Sequence, residues 1–165
     1  MVSTTGSGEF RIADSTSASH NFGQLESNEW ARLMLDTCDT VYVIDPDESV
    51  HDAISTLLEA AKVRVECYRT PEAFQSVCAS RNTPSCCLLV EAVLPGIGSL
   101  ALIRDVLVRN PGIPIIVLAS TADGEIAAQA LKAGALDVID KPLFGMHLLE
   151  KILGTAATSS YAVAR

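Results

Sequence analysis

Acidic side chains follow two apolar segments of this sequence, and a lysine follows a third. Asp45 and Asp47 come after one run, Glu91 ends another, and Lys141 stands shortly after the last. Carboxylates can bind Mg²⁺, and a mostly buried ammonium group needs an opposite charge beside it. If the runs are parallel strands of one sheet, these side chains converge at its carboxyl edge. We therefore predict an acidic cleft in which Lys141 pairs with Glu91.

Apolar periodicity predicts the strands and helices that would position this cleft. Continuous apolar runs predict five strands, at residues 41–45, 62–67, 86–91, 114–119 and 136–140. Helical spacing predicts five helices, at 48–61, 71–79, 99–109, 123–133 and 144–153, with Thr70 and Ser99 as N-caps and Gly134 as a stop. Such alternation favours an α/β fold with a doubly wound, five-stranded parallel sheet and helices on both faces.

The remaining residues predict additions to this domain. Residues 1–24 are rich in Ser, Thr and Gly and contain too few periodic apolar residues to order themselves, so we expect a disordered tail. Residues 25–38 predict a short helix, in which Trp30 is either a packing residue or an anchor for a docking partner. The main domain is predicted over 39–154, and a C-terminal tail over 155–165.

Composition and charge argue against several classes of function. The net charge is −8 and no cluster of Lys and Arg is present, which argues against a nucleic-acid partner. No apolar run approaches the roughly 20 residues that span a bilayer, and the N-terminus does not resemble a signal peptide, so we expect no membrane partner and a cytoplasmic location. The cysteines lack paired spacing, which favours buried thiols over disulfides or a zinc site: Cys38, Cys67, Cys78, Cys86 and Cys87.

Several motifs together resemble a bacterial response-regulator receiver (CheY-like) domain. They are Asp45 in VYVIDPDES, Leu94-Pro95 after the strand-end acid, Lys132-Ala133-Gly134-Ala135 and Asp140-Lys141-Pro142. The resemblance covers about residues 41–153. It implies a flavodoxin-like sheet of order 2-1-3-4-5, a phosphoryl group received from a histidine kinase on an aspartate after the third strand, and a cis bond before Pro142.

Only Asp45 and Lys141 keep the identity that the resemblance implies for its functional positions. The departures are Glu91 at the phosphoacceptor position, Pro46 in the acidic pair, Ala119 at the usual Thr or Ser, and Val138 at the aromatic switch position. A Glu carboxylate reaches about 1.5 Å further than that of Asp, and in-line displacement tolerates little misplacement. Pro46 offers Mg²⁺ no side-chain ligand. We therefore expect no cofactor, with weak Mg²⁺ binding at Asp45, Asp47 and Glu91 or none.

These features indicate a stand-alone atypical response regulator, a pseudo-receiver that is not an enzyme and acts in signal transduction by phosphorylation-independent protein–protein interaction. The Lys141–Glu91 pair would fix the domain in one conformational state. Alternatively, it is only a retained ion pair at the strand ends and has no such role. The alternative is a phosphorylatable single-domain response regulator of a two-component phosphorelay, with Glu91 or Asp47 as acceptor. Further hypotheses are a thiol redox sensor at Cys86 and Cys87, and a Glu91 that mimics the phosphorylated state. The expected partner is a histidine kinase or another regulator, and a homodimer is left open.

Overall fold

A computed structural model describes residues 40–78, 87–143, 145, 147–152 and 154. In these ranges strands alternate with helices along the chain. The strands are β1 Thr40–Ile44, β2 Arg64–Tyr68, β3 Cys87–Glu91, β4 Ile115–Ala119 and β5 Asp137–Asp140. The helices are α1 Glu48–Ala60, α2 Pro71–Cys78, α3 Gly98–Arg109 and α4 Gly124–Ala133, and residues 147–152 are helical and are called α5.

The five strands form one parallel sheet of order β2-β1-β3-β4-β5. The register places Ile44 beside Val90, Val90 beside Val117, and Ala119 beside Asp140. The carboxyl ends of β1, β3, β4 and β5 therefore lie at one edge. The strand order reverses between β1 and β3, so the predicted doubly wound sheet of flavodoxin-like order is confirmed.

Helices cover both faces of the sheet, and the three central strands are buried along their whole length. Alternate side chains of a strand enter two separate apolar clusters. On one face Val43 packs with Ile54 of α1, and on the other Val90 packs with Leu102 of α3. Burying each such side chain stabilises the fold by about 1.5–3 kcal/mol relative to exposure.

Three aromatic rings pack together near the edge strand β2. The ring of Tyr42 is buried, with its centroid 5.4 Å from that of Phe74 in α2. The ring of Tyr68 lies 5.5 Å from Phe74 in an edge-to-face arrangement, which aromatic quadrupoles favour. The backbone N–H of Asp45 donates to the carbonyl of Tyr68 over 3.0 Å. The aromatic cluster is thereby tied to the carboxyl edge of the sheet.

The start of α3 differs from its prediction. Ser99 was predicted to cap this helix from outside, but the helix begins at Gly98 and Ser99 lies in its first turn. The Ser99 hydroxyl is buried and donates to the carbonyl of Ala92 over 2.6 Å. Gly96 and Gly98 adopt φ of 76° and 73°, a left-handed conformation that glycine tolerates. The helix therefore begins one residue before Ser99. Ser99 therefore ties the connection between β3 and α3 together.

The other predicted N-cap, Thr70, is confirmed, since its hydroxyl oxygen accepts from the N–H of Ala73 over 3.2 Å. The predicted tails over 1–24 and 155–165 and the predicted helix over 25–38 lie outside the described residues, and the domain boundaries stay predictions. Burial raises the pKa of the Cys67 thiol, and Cys87 is buried, as expected of thiols that pack. Within the described ranges, none of the helices has the length and apolar character needed to span a bilayer.

Gly134→Ala is expected to lower the free energy of unfolding by about 1–3 kcal/mol. Gly134 ends α4 at φ 115°, and an added Cβ would lie 2.5 Å from Cδ1 of Leu107. Urea denaturation measures the change. Gly124→Ala is the matched control, because Gly124 has φ −54° and no atom within 4 Å of an added Cβ. The control should be neutral or stabilising by up to about 1 kcal/mol. Equal destabilisation by the two variants would contradict this account.

Candidate functional site

The carboxyl edge of the sheet brings one ammonium group to two buried carboxylates. Nζ of Lys141, directly after β5, donates to Oδ2 of Asp45 over 2.9 Å and also to Oε2 of Glu91. Asp45 directly follows β1, and Glu91 ends β3. The predicted contact between Lys141 and Glu91 is present. Asp45 is a second partner of Lys141 that the sequence did not indicate.

Backbone amides contact the other oxygens of these two carboxylates. Oδ1 of Asp45 accepts from the N–H of Asp47 over 2.8 Å, and Oε1 of Glu91 accepts from the N–H of Val93 over 3.2 Å. Each of the four oxygens is thus directed at a donor of the chain itself. In the part of the chain that the structure describes, no three His, Cys, Asp or Glu residues are arranged to hold a metal ion.

Burial and charge act in opposite directions on the ionisable groups of this cluster. Burial raises the pKa of Glu91, and the contacts with Lys141 and the Val93 amide offset only part of the rise. Burial by itself would lower the pKa of Lys141, but the contacts with Glu91 and Asp45 outweigh it and raise that pKa above its ordinary 10.5. Lys141 is therefore protonated at neutral pH and supplies the counter-charge that the buried carboxylates need.

Asp47 caps α1 and does not contact this cluster through a hydrogen bond of its side chain. Its Oδ1 accepts from the hydroxyl of Ser49 over 2.7 Å and from the N–H of Ser49 over 2.9 Å. These bonds lower the pKa of Asp47. Pro46 is exposed between the two acids. The acid after Pro46 thus stabilises a helix start, as is common for aspartate.

The end of β4 presents no hydroxyl group to the cluster. Ala119 is buried there, and the next residue, Ser120, is exposed, since successive side chains along a strand point to opposite faces. Oδ2 of Asp123 accepts from the Ser120 hydroxyl over 2.6 Å and from the Ser120 N–H over 2.9 Å, and these bonds lower the pKa of Asp123. The two residues form a reciprocal capping box that the prediction missed, although Ser-x-x-Asp was readable as its signature. Val138 is half-buried against the apolar cluster of α3 and α4.

Further contacts hold the connections around the cluster. Arg69, after β2, forms an ion pair with Glu48 at the start of α1. Oε1 of Glu72 lies 2.7 Å from the place that a Cβ on Gly96 would occupy, so the starts of α2 and α3 are in close contact. The Lys141–Pro142 peptide bond is cis, as predicted.

Comparisons with known proteins assign a family to this geometry. The model of the response regulator receiver domain matches residues 41–153. Response regulator protein TodT of Pseudomonas putida is 31% identical over 122 residues, which are 73% of this chain and 52% of TodT. Transcriptional regulatory protein FixJ of Azorhizobium caulinodans is 30% identical over 120 residues, which are 73% of this chain and 56% of that protein.

A solved structure agrees with these sequence matches. The crystal structure of FixJ-N superposes with a TM-score of 0.65 at 26% identity, covering 72% of this chain and 94% of that one. The chain spans about half the length of the curated relatives it matches. The parallel sheet agrees with these comparisons, as do the acids at the ends of β1 and β3 and the lysine after β5. The chain therefore belongs to the response regulator receiver domain family of two-component signalling.

Proposed function

We propose that this receiver acts through contacts with a protein partner and without a phosphoryl switch. The observation that carries this proposal is the position of Lys141, whose ammonium contacts both Asp45 and Glu91 in the unmodified chain. No incoming phosphoryl group is needed to position this lysine, because its ammonium group already contacts the Glu91 carboxylate. The cluster is a fixed structural element that holds the ends of β1, β3 and β5 together.

The surroundings of Glu91 support a poor phosphoryl acceptor. An attacking oxygen must have an accessible lone pair in line with the phosphorus atom. Glu91 is buried, and its two oxygens accept hydrogen bonds from Lys141 and from the Val93 amide. Ser120 cannot follow a phosphoryl group inward while its hydroxyl is bound to Asp123. Acceptance of a phosphoryl group by Glu91 and the response of Ser120 to that group are thereby both weakened.

We also infer that Mg²⁺ binds weakly or not at all. Mg²⁺ requires near-ideal octahedral coordination by oxygen atoms. The carboxylate oxygens of Asp45 and Glu91 accept from donors of the chain, and Asp47 caps α1. Pro46 contributes no side-chain oxygen. The residues present therefore do not fit this ion.

Receiver domains interact with proteins such as histidine kinases, and two of the relatives above are named a response regulator and a transcriptional regulator. We propose a protein partner of this kind for this chain: a histidine kinase or another regulator that recognises the single state held by Lys141. The alternative is a phosphorylatable receiver of a phosphorelay. This alternative would use the same site, because an acid at the end of β3 and a lysine after β5 are both present.

Treatment with a small phosphodonor and Mg²⁺ is expected to leave the intact mass of this protein unchanged, because Glu91 is already paired. Mass spectrometry of the whole chain makes the measurement, and a receiver with Asp at the corresponding position, treated in parallel, shows that the donor is active. A base-labile increase by one phosphoryl group would overturn the proposal. Its loss in Glu91→Gln or in Asp47→Asn would then identify the acceptor.

A further inference from the structure

The charges of the domain are divided between the two ends of the sheet. We define the acidic end as the last residue of each strand, the connection that follows and the first three residues of the next helix. In the described residues this end has eight acids and two bases, a net charge of −6: Asp45, Asp47, Glu48, Glu72, Glu91, Asp123, Glu125 and Asp140 against Arg69 and Lys141.

The opposite end has the opposite sign. We define the basic end as the last three residues of α1, α3 and α4, the connection after each, and the first residue of the strand that follows. Its described residues have a net charge of +2: Lys62, Arg64, Arg109 and Lys132 against Glu59 and Asp137. A chain whose total charge is −8 thus retains a locally positive end.

Exposed apolar side chains occur at the same two ends. The large apolar residues that are exposed in the described part of the chain are 42% to 83% accessible, and all belong to one end or the other: Val93 and Ile97 to the acidic end, and Val108, Leu131 and Leu136 to the basic end. Exposed apolar groups surrounded by charge are typical of protein–protein contact surfaces.

The exposed apolar residues of each end lie on the same segment or on adjoining segments of the chain. Val93 and Ile97 share the connection between β3 and α3. At the other end, the side chain of Leu107 lies against Gly134, so the last turns of α3 and α4 adjoin, and the N–H of Leu136 donates to the carbonyl of Ile115 over 2.7 Å. Each end therefore carries exposed apolar side chains on the same or adjoining segments as its charged residues.

We propose that these ends dock onto each other in successive copies of this chain, head to tail. Two acidic ends would bring like charges together, whereas an acidic end on a basic end pairs opposite charges and covers exposed apolar side chains of both ends. Such a contact is heterologous, so it continues into a chain of copies or closes into a ring. It would also cover the connection that holds Val93, whose amide contacts Glu91. This inference does not depend on how the Lys141 cluster functions.

The test uses the full chain and one variant for each end. The acidic-end variant is Val93→Ser with Ile97→Ser, and the basic-end variant is Val108→Ser with Leu136→Ser; urea unfolding establishes that both are folded. In analytical ultracentrifugation the average mass of the wild-type protein should rise with concentration past that of a dimer. Each variant alone should stay monomeric, because it keeps only one working end. Their equimolar mixture should form a dimer and stop there.

A pair of charge variants separates local complementarity from net charge. Lys132→Glu, at the basic end, should weaken association roughly fivefold. Arg104→Glu is the matched control, since Arg104 is exposed in the middle of α3 and its replacement changes the net charge equally. It should leave association unchanged. The proposal is overturned by a wild-type chain that is monomeric at all concentrations, by a mixture that stays monomeric, by either end variant associating alone, or by equal effects of the two charge variants.

Discussion

Replacing Lys141 by Met is expected to lower the free energy of unfolding by about 2–4 kcal/mol, because it leaves two buried carboxylates without a counter-charge. Asp45 and Glu91 are 1% and 8% exposed, so water replaces little of the lost interaction. The Lys141 side chain is itself 26% exposed, and for this reason the expected loss lies below that of a fully buried pair. Met retains most of the aliphatic volume of lysine. Urea denaturation at neutral pH measures the change.

Lys151→Met is the matched control for this experiment. It removes the ion pair of Lys151 with Asp137, whose partners are more exposed, and should cost less than about 1 kcal/mol. Adding Glu91→Gln to Lys141→Met should recover part of the lost stability, because only Asp45 then stays charged. Equal losses of unfolding free energy in the two lysine variants would show that the cluster at the sheet edge stabilises the fold no more than an exposed ion pair does.

Alkaline pH is expected to remove the same stabilisation without a mutation. The carboxylates raise the pKa of Lys141 above its ordinary 10.5. A raised folded-state pKa means that the folded protein holds the proton more tightly than the unfolded chain does. The stabilisation is therefore present in full below pH 10.5 and is lost as the pH rises through the folded-state pKa.

The measurement is urea denaturation at stepped alkaline pH, with Lys141→Met as the reference that shares all other titrating groups. The stability difference between the wild-type protein and this variant should shrink as Lys141 loses its proton. The raised pKa of Glu91 gives a loss of stability that begins as the pH rises above its ordinary 4.5, whereas the loss from Lys141 begins only above 10.5. A difference that stays constant through the alkaline range would count against the ion-paired cluster.

The strands could be predicted because central strands of a parallel sheet are buried on both faces and read as continuous apolar runs. The runs that became β1, β3 and β4 lack any alternation that would suit an exposed face. Once the strands were placed, the site followed from topology, since the carboxyl ends of parallel strands meet at one edge. The contact of Lys141 with Glu91 could be predicted on that basis.

Hydrogen-bond partners were harder to predict than elements, because they depend on local backbone direction. Ser99 is a residue type that commonly caps helices, yet the turn at Gly96 and Gly98 sent its hydroxyl back to Ala92. Aspartate can cap a helix or bind a metal, and the cap formed by Asp47 with Ser49 could not be distinguished from a metal ligand by residue type alone. Displacements of a few ångströms in the backbone decide which of several possible partners such a side chain reaches.

Long-range pairs at the site were only partly accessible from sequence. Lys141 is 96 residues from Asp45, and topology places both at the same edge without specifying which carboxylate the ammonium reaches. It reaches both. The capping box of Ser120 and Asp123 is a local pattern and could have been found from its spacing. Local signals specify caps, whereas contacts across the sheet edge depend on how several connections are placed relative to one another.

The aromatic packing beside β1 gives the acidic cluster an optical reporter. Rings held in one asymmetric setting produce a near-ultraviolet circular dichroism signal, which disappears when side-chain packing is lost. Tyr42 is buried against Phe74, and the carbonyl of Tyr68 accepts from the amide of Asp45. A displacement of Asp45 relative to Tyr68 would therefore change the surroundings of a ring whose circular dichroism can be followed. The tyrosine signal can thus report a local rearrangement at this edge while the far-ultraviolet spectrum shows that the sheet is intact.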